Sequence, residues 1–200
     1  MTDLRNTPVA LSLQGAPFAI RAERACDVVA REALLDACFG ESRHMRTCQR
    51  LRDGHAPAEG LALSAVRKGR LVGTVRLWHV SAGGIPALIL GPLAVDPSCR
   101  KLGVGAALMA RALAAAIERG HRAVILLGDA PYYARFGFST EKTADLILPG
   151  AFERERLLGL ELEAGALDGA WGMIVPTGAT APEASKVRGR KSARLVPHAA

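Results

Sequence analysis

The stretch that most constrains this chain is Val95-Asp96-Pro97-Ser98-Cys99-Arg100-Lys101-Leu102-Gly103-Val104-Gly105-Ala106. A nearly all-apolar run, Ala87 to Val95, leads into it, and an alanine- and leucine-rich segment follows. It therefore reads as strand, tight turn and two glycines opening a long helix. Such a start suits a diphosphate. The first four N–H groups of a helix have no internal partner, and the helix dipole adds about half a positive charge there. Lacking Cβ atoms, Gly103 and Gly105 let an anion approach the backbone closely. Arg100 and Lys101 stand beside the turn as charge-assisted donors. Two other phosphate-binding patterns are excluded. The third glycine of the dinucleotide fingerprint falls on Leu108, and no P-loop Gly-Lys-Ser/Thr run occurs.

The rest of the pattern predicts an α/β chain. Phe18 to Arg21 reads as a first strand. A helix follows over Cys26 to Phe39, with Val29, Ala33, Leu34 and Ala37 inward and Gly40 as its stop. The polar segment Glu41 to Gly60 is expected to hold a second helix around Met45 to Arg52. Leu61 to Arg67 and Leu71 to Val80 alternate as strands around a Lys68-Gly69 hairpin turn. Ala87 to Val95 suits a strand buried on both faces. The helix Gly103 to Arg119 is polar only at Arg111, Glu118 and Arg119, so most of its surface should be covered. Ala123 to Leu127 is a buried strand, and Pro131 to Phe136 begins a short helix. Strand-like pieces follow at Ala144–Leu148, Leu158–Leu162 and Trp171–Val175. The expected architecture is one mixed sheet with helices on both faces.

Length and composition fit a single globular domain, with 50% hydrophobic and 22% charged residues. The longest uncharged run, Leu77 to Val95, contains Gly83, Gly84, Pro86, Gly91 and Pro92, and so reads as two strands and a turn rather than a membrane span. The N-terminal segment lacks a compact apolar core followed by a cleavage site, and a cytoplasmic location is expected. Cys26, Cys38, Cys48 and Cys99 have no metal-ligand spacing and read as free thiols, with no metal expected and Cys99 as a solvent-facing spectator in the turn. The net charge of +7 is concentrated in residues 176–200, where Lys186, Arg188, Arg190, Lys191 and Arg194 stand against Glu183. That distribution reads as a basic disordered tail after a body at 17–175 and a loose lead-in at 1–16. It argues against a nucleic-acid-binding body.

The Arg-x-x-Gly-x-Gly element following Val-x-Pro resembles the acyl-CoA-binding signature of the GNAT superfamily of N-acetyltransferases. The second half of that pattern, a tyrosine four residues before Gly-Phe, is present as Tyr132-Tyr133-Ala134-Arg135-Phe136-Gly137-Phe138. The run Leu127-Gly128-Asp129-Ala130-Pro131-Tyr132-Tyr133 is similar to the bacterial YhbS-like subgroup. The resemblance spans about Phe18 to Leu148 in element order and is motif-specific from Leu90 to Phe138. It implies a GNAT-type mixed, mostly antiparallel sheet and transfer of an acetyl group from acetyl-CoA to a small-molecule or peptide amine.

The resemblance also implies site roles. The diphosphate would lie at Arg100, Lys101, Leu102, Gly103, Val104, Gly105 and Ala106. A splayed strand at Leu93, Ala94 and Val95 would offer backbone groups to the pantetheine arm and an oxyanion, and Pro92, without an N–H, is compatible with a splay. Tyr133 matches the usual general acid, while Tyr132 is expected to pack in the core. Many relatives carry a glutamate on the strand before Val-x-Pro, but Ala87 to Val95 has no ionisable side chain. The base is left open among His79, Asp129, Glu59, His44, His55 and a water relay. His79 also reads as a core histidine, Asp129 as a helix cap and Trp78 as a core tryptophan. A non-catalytic acyl-CoA sensor on the same fold is the alternative. Acceptor, acyl preference and oligomeric state are not legible, a homodimer being one open arrangement.

Overall fold

The computed structural model describes residues 17–181. The lead-in 1–16 and residues 182–200 of the basic tail lie outside the described residues. Eight strands form the sheet: β1 (Ala19–Ala22), β2 (Ala62–Arg67), β3 (Arg70–Ala82), β4 (Ile85–Val95), β5 (Ala123–Leu127), β6 (Leu146–Ile147), β7 (Leu157–Glu161) and β8 (Gly172–Pro176). Three α-helices accompany them: α1 (Val28–Phe39), α2 (Val104–Glu118) and α3 (Ala130–Ala134). The strand order is β1-β2-β3-β4-β5-β7, with β8 pairing β3 and β6. Pairing is antiparallel except for β4 with β5 and β6 with β8. Parallel neighbours need a long crossover, and α2 supplies it between β4 and β5.

Turn chemistry explains the hairpins. Lys68 and Gly69 join β2 to β3 with φ of 48° and 77°. Both values are positive, as a two-residue turn matching the twist of a hairpin requires. On one sheet face α2 lays Leu108, Met109, Ala112, Ala115 and Ala116 against Val75, Leu77, Leu88, Leu90, Val124 and Leu126. The opposite face is covered by α1, through Leu34 and Leu35 on Ala94, and by a cluster of Leu51, Leu146, Leu157, Leu167 and Ile174 around Trp78, Ile89 and Ile125. Arg111 and Glu118 do share the outer stripe of α2, 3.3 Å apart.

Three expectations change. First, α1 buries Arg31, Leu34 and Leu35 rather than Val29, Ala33 and Ala37, and Val29 is 82% exposed. The buried guanidinium pairs with Glu23, which also takes Arg76, and with Glu32. An apolar count along the helix does not register a charge neutralised in this way, least of all through a carboxylate shared with Arg76 of β3. Second, the helix expected around Met45 to Arg52 is two short 3-10 turns, Glu41–Met45 and Thr47–Leu51. Third, the head of the basic tail is tied to the body. Thr177 N–H donates to the His79 carbonyl and Ala181 N–H to that of Gly54, while Thr180 bridges His55.

Strand β4 holds the feature that shapes the site. Leu93 pairs with Val75 and Leu90 with Leu77, so Gly91 and Pro92 together oppose Arg76 alone. This bulge shifts the side-chain alternation by one. Leu88 and Leu90 point to α2 before it, and Leu93 and Val95 pack on that cluster after it. A bulge bends its strand and ends regular pairing. Here β5 pairs only Leu88 and Ile89 of β4, leaving residues 90–95 without a strand on that side.

Candidate active site

Where β4 and β5 part, a groove of about 1060 Å³ opens. Leu90 to Val95 of β4 form one wall, and Leu127, Gly128 and Asp129 at the end of β5, with Tyr132 and Tyr133 of α3, form another. The 3-10 turns after α1 contribute Arg43, Arg46, Cys48 and Arg52. Unpaired strand edges are binding templates for extended polar chains. The Val95 carbonyl faces this space, where the Cys38 thiol reaches it at 3.4 Å.

The turn after β4 ends the groove. Asp96 caps it, its carboxylate accepting from the Ser98 N–H at 2.9 Å and the Ser98 hydroxyl at 2.6 Å. Those two donors hold the Asp96 carboxyl below the usual carboxylate range. Gly103 then turns the chain with φ of 76° into α2. The first helical bond runs from the Ala107 N–H to the Gly103 carbonyl at 3.0 Å. The N–H groups of Val104, Gly105 and Ala106 thus have no backbone acceptor among the described residues, and they form an anion-ready cradle.

The two glycines serve different needs. Gly103 needs the positive φ, and a Cβ there would meet nothing within 4 Å. Gly105 is helical, but a Cβ there would lie 2.9 Å from the Tyr132 hydroxyl. Leu93, Ala94, Val95, Arg100 and Gly105 line the groove. Val104 and Leu102 turn their side chains to the core, and Lys101 is exposed. At those three positions, as at Ala106, the backbone is the group at the turn. Cys99 does not face solvent as expected. It is 2% exposed in the α2 core, because the 3-10 turn rotates it under the helix.

Tyr133 and Tyr132 both line the groove, but only Tyr133 also packs on the core. The Tyr133 ring packs on the core, edge-on to Phe138, and a Cβ at Gly128 would come 2.2 Å from its Cε2. Burial foremost, then the neighbouring Tyr132 and Asp129, push its phenol up to about 12. Tyr132 is not a core residue. It lies half-buried in the groove with Arg135 over its ring, since α3 turns it toward the start of α2. Burial raises its phenol as well.

Among the possible bases, Asp129 alone lines the groove. It occupies the cap position of α3 without making a side-chain cap bond; its backbone carbonyl takes the Tyr132 and Tyr133 N–H groups instead. His79 stands against His121 of the link between α2 and β5, ring centroids 5.2 Å apart, in a separate small cavity. His44 and Glu59 are exposed elsewhere, and His55 holds the Asp53 carbonyl. Trp78 is buried, its indole N–H donating to the Gly91 carbonyl at 2.7 Å. It thereby fixes the bulge.

Sequence reasoning missed Arg52. This residue lines the groove beside the bulge, its Nε donating to the Cys48 carbonyl at 3.1 Å. The arginine-rich run Arg43, Arg46, Arg50, Arg52 was the available signal, but nothing local separates a solvated charge run from one folded over a cleft.

Known proteins resemble the chain along most of its length. The acetyltransferase (GNAT) family model matches residues 29–138. YhbS of Escherichia coli strain K12, described as an uncharacterized N-acetyltransferase, is 32% identical over 162 residues, which covers 78% of this chain and 93% of that protein. A crystal structure of YhbS from Escherichia coli in complex with CoA superposes with a TM-score of 0.68 at 29% identity, covering 81% of this chain and 91% of that one. A GNAT family acetyltransferase from Brucella melitensis, crystallised with acetyl-CoA, shares the fold with a TM-score of 0.61 at 24% identity, covering 81% and 97%. No helix among the described residues is long and apolar enough to cross a membrane.

Proposed function

The chain belongs to the acetyltransferase (GNAT) family, and from that premise we propose that it moves an acetyl group from acetyl-CoA to a primary amine, with Tyr133 as general acid. The observation that carries this reading is the single groove that joins the start of α2, which reaches it at Gly105, to the unpaired edge of β4 and the Tyr133 side chain. The CoA bound to the related Escherichia coli protein supports the choice of cosubstrate.

On this reading the N–H groups of Val104, Gly105 and Ala106, with Arg100, hold the diphosphate, and Leu93 to Val95 hold the pantetheine arm by its amides. The amine nitrogen attacks the thioester carbonyl carbon, whose oxygen takes up negative charge that β4 backbone N–H groups can stabilise. The C–S bond then breaks. The departing thiolate takes its proton from the Tyr133 phenol, solvent reprotonates the phenolate, and the amine proton leaves through water or Asp129.

A phenol near pKa 12 stays protonated throughout the physiological range, as a donor must. An ordinary thiol ionises near 8.5, which alone would make the transfer uphill. The same poorly solvated groove that raises the phenol also raises the basicity of a thiolate formed beside it, and this offsets part of the gap.

The test is amine-dependent release of free CoA from acetyl-CoA across small amines, amino acids, peptides and polyamines. Release with one acceptor class, lowered at least a hundredfold in Tyr133→Phe while CoA affinity stays within twofold, is the expected result. CoA binding without release on any acceptor would replace the enzyme by an acyl-CoA sensor. Undiminished turnover by Tyr133→Phe would remove that residue from the mechanism.

A further inference from the structure

The wall of the groove made by the turns after α1 and the segment before β7 is cationic. Arg43, Arg46, Arg52 and Arg156 line it, against Asp129 and Glu153. Two of these arginines are already engaged. Arg43 pairs with Glu32 and Asp36, at 2.5 and 2.7 Å, and Arg156 stands 3.6 Å from Glu153. Arg46 stacks over the Phe39 ring at the rim.

Arg52 is different. Its Nε is taken by the Cys48 carbonyl, but no carboxylate among the described residues lies within 4.0 Å of it, and neither Nη has an acceptor there. Burial foremost makes its charged form costly in this place; Cys48 and Asp53 oppose that in part, and the like charges of Arg43 and Arg46 add to it. A half-buried guanidinium with two free Nη groups facing a cleft is a strained arrangement for the protein alone. An anion entering the cleft offsets that cost.

Position separates this charge from the cosubstrate's phosphates. Nη1 of Arg52 lies 3.6 Å from where a Cβ would stand at Gly91. Val95, where the diphosphate turn begins, is four residues further along β4, about 13 Å of extended strand. The anion that Arg52 meets therefore belongs to the molecule approaching the acetyl group from the other side.

Resting on the acetyltransferase reading above, we propose that the acceptor is an amine that also carries a carboxylate, and that Arg52 holds this carboxylate through its two Nη groups. The spacing of one Nη pair matches the two oxygens of a carboxylate. A phosphomonoester, near two negative charges, calls for a second free guanidinium at the same spot; Arg43 is committed to Glu32 and Asp36, and Arg46 is held at the rim over the Phe39 ring and on the Phe39 carbonyl. Arg52 is thus a specificity residue in the acceptor site, and the arginines around it draw anionic acceptors to the groove.

The experiment compares the standard amino acids, each against its primary amide and the matching decarboxylated amine, as acceptors for the full chain. The expected result is a kcat/KM at least tenfold higher for the free carboxylate of the preferred acceptor. In Arg52→Gln the KM for that acceptor rises at least tenfold and kcat changes less, and Arg52→Lys falls between. An unaltered CoA affinity certifies that both variants fold. A second readout is independent of turnover: calorimetric titration of the CoA-loaded protein with N-acetyl amino acids and their amides. Tighter binding of the acids, lost in Arg52→Gln, supports the proposal even when no acceptor is acetylated, and only the enzymatic reading then fails. Amides used and bound as well as acids, a preference that survives in Arg52→Gln, a preference for phosphate-bearing amines, or no binding of either series would each overturn it.

Discussion

Gly103 and Gly105 look equivalent in the sequence, but their substitutions to alanine should have opposite consequences. At Gly103 the cost is conformational, because φ is 76° and a Cβ meets nothing within 4 Å. Holding a non-glycine residue left-handed costs about 1–2 kcal/mol. For a chain of this size that lowers Tm by roughly 2–8 °C. At Gly105 the backbone is helical, and alanine there gains up to about 1 kcal/mol in helix propensity. Its Cβ would stand 3.6 Å from Val95 Cγ2 and 2.9 Å from the Tyr132 hydroxyl. That hydroxyl is the far end of a half-exposed ring and can give way, so stability should hold or rise slightly. The new methyl would, however, occupy the approach to the cradle. Losing one charge-assisted hydrogen bond there costs about 1.5–3 kcal/mol, or roughly 10- to 100-fold in Kd. Calorimetric titration with CoA and thermal unfolding of both variants separate the two effects. Gly105→Ala should bind CoA at least tenfold more weakly at unchanged or higher Tm. Gly103→Ala should lose Tm with a smaller change in affinity. An unchanged Kd in Gly105→Ala would refute the diphosphate assignment at the start of α2.

Further outcomes follow from the same geometry. Gly128→Ala should lower kcat at least tenfold, because a Cβ 2.2 Å from Tyr133 Cε2 forces the ring off its seat; a normal kcat, measured by CoA release, would show that the seat does not matter. Turnover limited by the Tyr133 proton should persist above pH 10, where an ordinary phenol ionises, because burial holds this one near 12; a fall centred at 10 in the pH–rate profile would contradict that. On the acid side, Arg21 foremost, with the Arg24 N–H and the Ser64 hydroxyl, holds the Asp27 carboxyl well below the usual range. The unfolded chain then binds the extra proton, so this stability is present above about pH 4 and lost as the pH falls below it. Asp27→Asn should cost about 3 kcal/mol at pH 7, the low end for a broken buried pair because Arg21 keeps 28% of its side chain exposed. The variant should also flatten the decline of Tm below pH 4, and a slope equal to wild type would exclude the ion pair as its source.

Much of the fold was legible because its signals are local. Strand β5 was read with the bounds it has, and Lys68-Gly69 was read as a turn because few residue pairs accept two positive φ angles. The all-apolar character of β4 marked it as buried but hid its bulge, since a strand apolar at nearly every position shows no break when its alternation slips at Gly91-Pro92. The inward face of α1 was misread for the opposite reason. A buried arginine looks like a surface residue until Glu23, just past β1, stands beside it with Arg76 of β3 on the same carboxylate.

The site divides in the same way. The cradle at residues 103–106 and the tyrosine before Gly137-Phe138 are short patterns whose chemistry depends on neighbours a few positions apart, and the sequence alone determined both, together with the family they signal. The tertiary structure alone decided that both tyrosines line the groove and only Tyr133 also packs on the core, that Cys99 is buried, that Asp129 rather than His79 reaches the groove, and that Arg52 lies without a carboxylate partner beside Gly91. Each of these depends on segments distant in sequence meeting in space, and all but the burial of Cys99 on the parting of β4 and β5. That parting is set by where strand pairing stops, a long-range balance of burial and hydrogen bonding that no local spacing records.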